Sequence, residues 1–156
     1  MKLVKYPNEF LTKKLDLFDF DKYDPLQISD KMISIMNENK GIGLSANQVG
    51  LNARIFVMKT NNIECNPTIT VINPSILAKS DEEELNTEGC LSFDRKLLVE
   101  IKRPVNIQVK FLDKFAQTCI MSFTGIDARC FLHENDHLNG IVFLKREYIP
   151  SIKDMT

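Results

Sequence analysis

Histidine is nearly absent: the chain has 2 in 156 residues, which rules out a metal centre built from three imidazoles. No apolar run approaches the ~18 residues of a membrane-spanning helix. Neither sign of charge is in excess. With 20 basic and 21 acidic side chains the net charge is −1, so nothing draws the chain electrostatically to nucleic acid or to an anionic membrane. Glycine and proline number only 6 each, and there is no low-complexity tract, internal repeat or linker long enough to divide the chain. The start, Met1-Lys2-Leu3-Val4-Lys5-Tyr6-Pro7, lacks the apolar stretch of a secretory signal. Cytoplasmic residence is therefore expected, with the 4 cysteines reduced and available for packing or as ligands. What remains is ordinary: 44% hydrophobic and 26% charged residues predict one globular domain over residues 1–156.

The patterning mixes helix and strand. Asp24-Pro25 reads as an N-cap with proline at the first helical position. Ile28, Met32, Ile35 and Met36 then form one apolar stripe, in a helix that should stop near Lys40-Gly41. A loop of small residues (41–48) precedes a strand at about 54–59. A β-branched strand over 68–73 is expected to end at Pro74. The acidic stretch 81–84 reads as a solvated turn. Val105, Ile107, Val109 and Phe111 alternate with polar residues as a strand, with a hairpin partner at 118–123. Thr124-Gly125-Ile126-Asp127 resembles a capping box opening a helix that should run to Leu138 and stop at Asn139-Gly140. The expected class is α+β, with mainly antiparallel sheets packed around a central helix.

That helix holds both histidines in His133-Glu134-Asn135-Asp136-His137. Residues four apart share a helical face, so both rings can reach one ion, and Glu134 lies beside it to take a proton from a metal-bound water. Ile126, Cys130, His133 and His137 share the face expected to be buried, with Arg129 and Asp136 directed elsewhere and the metal between helix and sheet. Two ligands do not complete a site. A third histidine six residues after the second is excluded, because position 143 is Phe143. A glutamate from a later helix is excluded too: only Glu147 follows, with no room for that helix before Thr156. The remaining donor lies upstream, where Glu88-Gly89-Cys90-Leu91-Ser92 offers a thiolate. One thiolate with two imidazoles is a sound tetrahedral set for Zn²⁺ or Fe²⁺ with a fourth position open.

With these motifs in order, the chain resembles the peptide deformylase family from Tyr6-Pro7 to about Leu144. The family's glycine-rich motif reads here as Gly41-Ile42-Gly43-Leu44-Ser45-Ala46-Asn47-Gln48, its cysteine motif as Glu88 to Ser92, and its histidine motif as His133 to His137. The resemblance implies removal of the formyl group from N-terminal formyl-methionine of nascent polypeptides, releasing formate. It implies metal ligands Cys90, His133 and His137, with hydroxide attacking the formyl carbon and Glu134 as general base and acid. It also implies oxyanion donors in the Gln48 side chain and the Leu91 N–H. The implied metal is one divalent ion: Fe²⁺ foremost, with Zn²⁺ or Ni²⁺ fitting the same ligands. Ile42, Ile126 and Cys130 match positions near the methionine pocket. Gly43 would let backbone approach a substrate bound as an added strand, and Glu88 with Arg103 would form a supporting ion pair. The implied partners are formylated nascent peptides, met close to the ribosome, with the protein a monomer. Ser45, Asn47, Asp94 and Leu132 depart from the usual pattern without removing a catalytic group, and the tail after His137 is shorter than in members that add a C-terminal helix, so no role for such a helix, ribosome docking included, is expected.

Overall fold

A computed structural model describes residues 1–155. The first helix, α1 (Pro25–Glu38), starts as its sequence requires: the Asp24 carboxylate accepts the Leu26 N–H at 3.0 Å, and Pro25 follows at N1. Its stripe buries Ile28, Met32 and Met36, and Lys40 takes a left-handed φ of 56° just beyond its end.

Five strands form one antiparallel sheet in the order β1-β2-β3-β6-β7: β1 (Gly43–Ser45), β2 (Ile55–Lys59), β3 (Thr68–Lys79), β6 (Asn106–Leu112) and β7 (Thr118–Thr124). A separate antiparallel hairpin pairs β4 (Glu83–Glu88) with β5 (Val99–Pro104). The second helix, α2 (Gly125–Leu138), carries the histidine motif. The class is α+β as expected, and none of the described helices is long and apolar enough to cross a membrane.

Four expectations need correction. β3 does not end at Pro74. A register shift between Ile72 and Ser75, with Asn73 at φ 51°, carries the strand past the proline. Proline has no N–H to give the ladder and is tolerated at such an irregularity. The acidic stretch is only partly a turn, since Glu83 and Glu84 begin β4 opposite Pro104 and Arg103. Most of β4 is exposed, so no apolar alternation marked it. The short loop after Gly41 contains strand β1 and a 3-10 turn over Ala46–Val49. The capping box also fails in detail: Thr124 is the N-cap residue but makes no side-chain cap bond. Asp127 instead accepts the N–H groups of Asn61 and Asn62 at 2.8 and 2.9 Å, tying the loop after β2 to the helix.

α2 is buried around its whole girth from Asp127 to Leu138. Phe131 faces the sheet, its ring edge-on to Phe56 at 5.0 Å and stacked with Phe123 at 5.5 Å. Complete burial of these rings contributes roughly 1.5–3 kcal/mol each. A second core of Leu11, Phe93, Val99, Ile101, Val142 and Phe143 lies under the hairpin. The helix is thereby held between sheet and hairpin, which fixes where its polar residues point.

Candidate metal centre and cleft

His133 and His137 sit on successive turns of α2 with ring centroids 5.1 Å apart. Cys90 follows directly from the end of β4, and its Sγ lies 3.4 Å from His137 Nε2. One ligand atom from each of Cys90, His133 and His137 falls within 4.8 Å of the others. Tetrahedral Zn–S and Zn–N bonds of about 2.3 and 2.0 Å put sulfur and nitrogen roughly 3.5 Å apart, so the donor set fits a single ion. His133 Nδ1–H donates to Glu88 Oε1 at 2.8 Å, which leaves Nε2 as its ligand atom. This outer bond is the usual device for fixing a ligating imidazole's tautomer and ring orientation.

Glu88 is itself firmly held. Arg103 Nε reaches Oε2 at 2.6 Å and its Nη2 reaches Oε1 at 3.0 Å, while Arg129 Nη1 reaches Oε2 at 2.6 Å. Burial alone would raise this carboxyl, but hydrogen bonds from His133 and Arg103, with their charges, bring it down to about 2. Arg103 also donates to Asp136 at 3.0 Å, and Arg146 closes the chain of charges on the same carboxylate. Arg129 does not point elsewhere: one turn before His133, it meets the same Glu88 carboxylate and borders the same cleft, whereas Asp136 pairs with Arg103 and Arg146. Both are buried, at 9% and 8% exposure, in an ion-pair network that helical periodicity did not disclose. The signal that could have found them is charge where apolar residues are expected: Arg103 in the inward period of Val99 and Ile101, and Arg129 and Asp136 on a helix buried throughout.

Glu134 is 4% exposed, and its Oε2 has no partner. An orphaned buried carboxylate oxygen calls for a functional explanation. Burial first, then the nearby Glu88 charge, pushes the carboxyl up to about 7 against the lowering effect of His133. A proton acceptor working near neutral pH needs such a value. Gly43 of β1 makes room for it: a Cβ there would lie 2.7 Å from Glu134 Oε1 and 3.0 Å from Cys130 Sγ. Burial drives the Cys130 thiol well above its ordinary value, so it lines the cleft as a neutral group. Gly43→Ala should displace the carboxylate and cut turnover by about 10²-fold, as a 1 Å misplacement of a reacting group does. Expression and thermal midpoint should stay close to wild type, and steady-state kinetics beside a melting curve check both.

Gln48 is 1% exposed. Its Oε1 accepts the Ser45 N–H at 3.0 Å, which turns Nε2 toward Ser92 Oγ at 3.1 Å and Cys90 Sγ at 3.5 Å. The Leu91 carbonyl is tied to Lys5 Nζ at 2.8 Å. Ile42, Gly43, Gln48, Cys90, Leu91, Ile126, Cys130, His133 and Glu134 all border one cleft of about 490 Å³. His137 lies behind it at 1% exposure, its Nδ1 without a partner. Ile42 and Ile126 are about half exposed at the mouth, 51% and 50%, so they are cleft rim rather than core. The centre therefore sits between α2, the edge strand β1 and the hairpin, not simply between helix and sheet.

Comparison with known proteins agrees with this geometry. A family model described as polypeptide deformylase matches residues 1–153. The peptide deformylase of Thermodesulfovibrio yellowstonii is 37% identical over 147 residues, covering 94% of this chain and 88% of the relative. The crystal structure of peptide deformylase from Thermotoga maritima superposes with a TM-score of 0.86 at 35% identity, covering 95% of this chain and 97% of that one. A Met-Ala-Ser-bound class I type b peptide deformylase from Acinetobacter baumannii gives 0.85 at 28% identity over 94% of this chain and 97% of that one. With a fitting Cys-His-His donor set and these relatives over nearly its whole length, the chain belongs to the polypeptide deformylase family, metal-dependent hydrolases that remove the N-formyl group from nascent peptides.

Proposed function

We propose that residues 1–156 work as one catalytic domain that deformylates formyl-methionyl peptides through Cys90, His133, His137, Glu134, Gln48 and Leu91. The observation that carries this reading is the partnerless Glu134 Oε2 in the same cleft as the Cys90–His133–His137 cluster. Cys90, His133 and His137 would hold one divalent ion, Fe²⁺ first and Zn²⁺ or Ni²⁺ as alternatives on the same donors. When bound, such an ion polarises a carbonyl and lowers the pKa of water to roughly 7.

The chain's own residues do the rest. Glu134 takes a proton from the attacking water and returns it to the departing amine. As the formyl oxygen gains charge, Gln48 Nε2–H and the Leu91 N–H donate to it. Gln48 Oε1 is fixed by the bond from Ser45, and of the two Nε2 hydrogens one meets Ser92 Oγ while the other, on the side where Nε2 lies 3.5 Å from Cys90 Sγ, is the one that would turn to the oxygen. Ile42, Ile126 and Cys130 receive the methionine side chain, and the absence of a side chain at Gly43 lets the peptide backbone come close. The Met-Ala-Ser bound by the Acinetobacter relative is what deformylation of formyl-Met-Ala-Ser would leave, which supports this substrate class. The protein would act as a monomer in the cytoplasm, where formylated chains leave the ribosome.

Formyl-Met-Ala-Ser incubated with metal-loaded protein should give equal amounts of formate and free amine. Cleavage of an internal peptide bond without formate would point to a peptidase instead, and no turnover would remove the enzymatic reading. Gln48→Ala should lower kcat by about 10²–10³-fold, the usual cost of one oxyanion donor, with little change in KM; steady-state formate release checks this.

A further inference from the structure

Two of the three donor residues ride on α2, and the third follows β4, so their spacing depends on how the hairpin is held against the helix. Five of the six β4 residues are exposed, so apolar burial secures that strand poorly. Arg129 bridges the gap from the helix side. Its guanidinium donates to the Glu84 carbonyl on β4 at 2.6 Å, to the Ile101 carbonyl on β5 at 2.9 Å and to the Glu88 carboxylate at 2.6 Å. Glu88 in turn lies two residues before Cys90 and orients His133. Arg103 grips the same carboxylate from within β5, whereas Arg129 reaches it from α2. One buried side chain thus joins both strands of the hairpin, and the carboxylate between the ligands, to the histidine helix. A lysine has no planar fork with which to serve three acceptors at once.

We propose that Arg129 is a positioning residue that sets the separation of Cys90 from His133 and His137, and so governs how long the centre keeps a divalent ion. This rests on the metal-site reading above.

Wild type, Arg129→Met, Arg129→Lys and the core variant Val71→Ala, on the far β3 strand, are each loaded with Co²⁺. Visible absorption, the rate of Co²⁺ transfer to a chelator and the thermal midpoint are then measured. Arg129→Met should release Co²⁺ about 10- to 100-fold faster, the usual range for losing an outer-shell partner, with an altered cobalt spectrum. Arg129→Lys should fall between that variant and wild type. Val71→Ala should lower the thermal midpoint while keeping the wild-type spectrum and release rate. If Arg129→Met does not fold, Arg129→Lys against Val71→Ala makes the same comparison. Release at the wild-type rate from the Arg129 variants overturns the proposal, as does equal acceleration in a Val71→Ala protein of matched thermal loss. Formate release by the wild type separates the two levels: turnover together with unchanged Arg129 variants sinks only this proposal, whereas a wild type that binds no Co²⁺ sinks the metal site with it.

Discussion

Glu134→Gln is expected to lower formate release by about 10²–10⁴-fold, the range that a positioned acid–base group contributes. The amide keeps the shape of the carboxyl, so the packing against Gly43 and Cys130 survives and the three donor residues are untouched. Metal content should therefore stay at wild-type level. The loss should appear in kcat with KM nearly unchanged, because proton transfer is an interaction made only in the transition state. The thermal midpoint should not fall: the carboxyl is buried with Oε2 unpaired, and replacing an uncompensated buried acid by a neutral group removes a desolvation cost. Formate kinetics, elemental analysis and a melting curve on one preparation test all three statements. Activity within tenfold of wild type would show that the proton goes elsewhere.

Cys90→Ala should act on the ion first and on the reaction as a consequence. Loss of an outer-shell partner alone typically costs 10- to 100-fold in metal affinity, so loss of the only sulfur donor should cost at least about 10²-fold. The residue is only half-buried and leaves no large cavity, so the apoprotein should lose less than about 1 kcal/mol of folding stability. The expected result is a folded protein that emerges from dialysis without metal and without turnover. Competition titration against a chromophoric chelator gives the affinity, and denaturant unfolding of the metal-free proteins gives the stability. A Cys90→Ala protein that binds its ion as tightly as wild type would remove the thiolate from the centre.

The fold was legible wherever side-chain period and burial coincide. α1 has one buried stripe and a proline start, and β6 alternates cleanly, so both were read within a residue or two at each end. The sequence carries little signal where backbone pairing, not burial, makes the element. β4 is an exposed acidic strand held by β5 and by Arg129, and nothing in Glu83-Glu84-Leu85-Asn86 announces a partner across a hairpin. β5 alternates Val99, Ile101 and Arg103 inward, but a charged residue in the third inward position disguises the period until Glu88 and Asp136 are seen around it. β3 continues through Pro74 only because an irregularity absorbs the missing donor. The cleft residues were legible because their chemistry is particular: two histidines four apart, one cysteine beside glycine, one glutamine closing a glycine-rich loop. The network behind them was not, since α2 is buried on every side and a helical wheel then offers no polar face. Gly43 is an intermediate case: its sequence neighbours suggest a close approach, but only the structure identifies Glu134 as the group it makes room for.

X-ray absorption on the zinc-loaded wild-type protein measures the coordination directly. One sulfur at about 2.3 Å and two imidazole nitrogens at about 2.0–2.1 Å are predicted, with the sulfur shell gone in Cys90→Ala. A zinc shell made only of nitrogen and oxygen in the wild type would contradict a centre built from Cys90, His133 and His137.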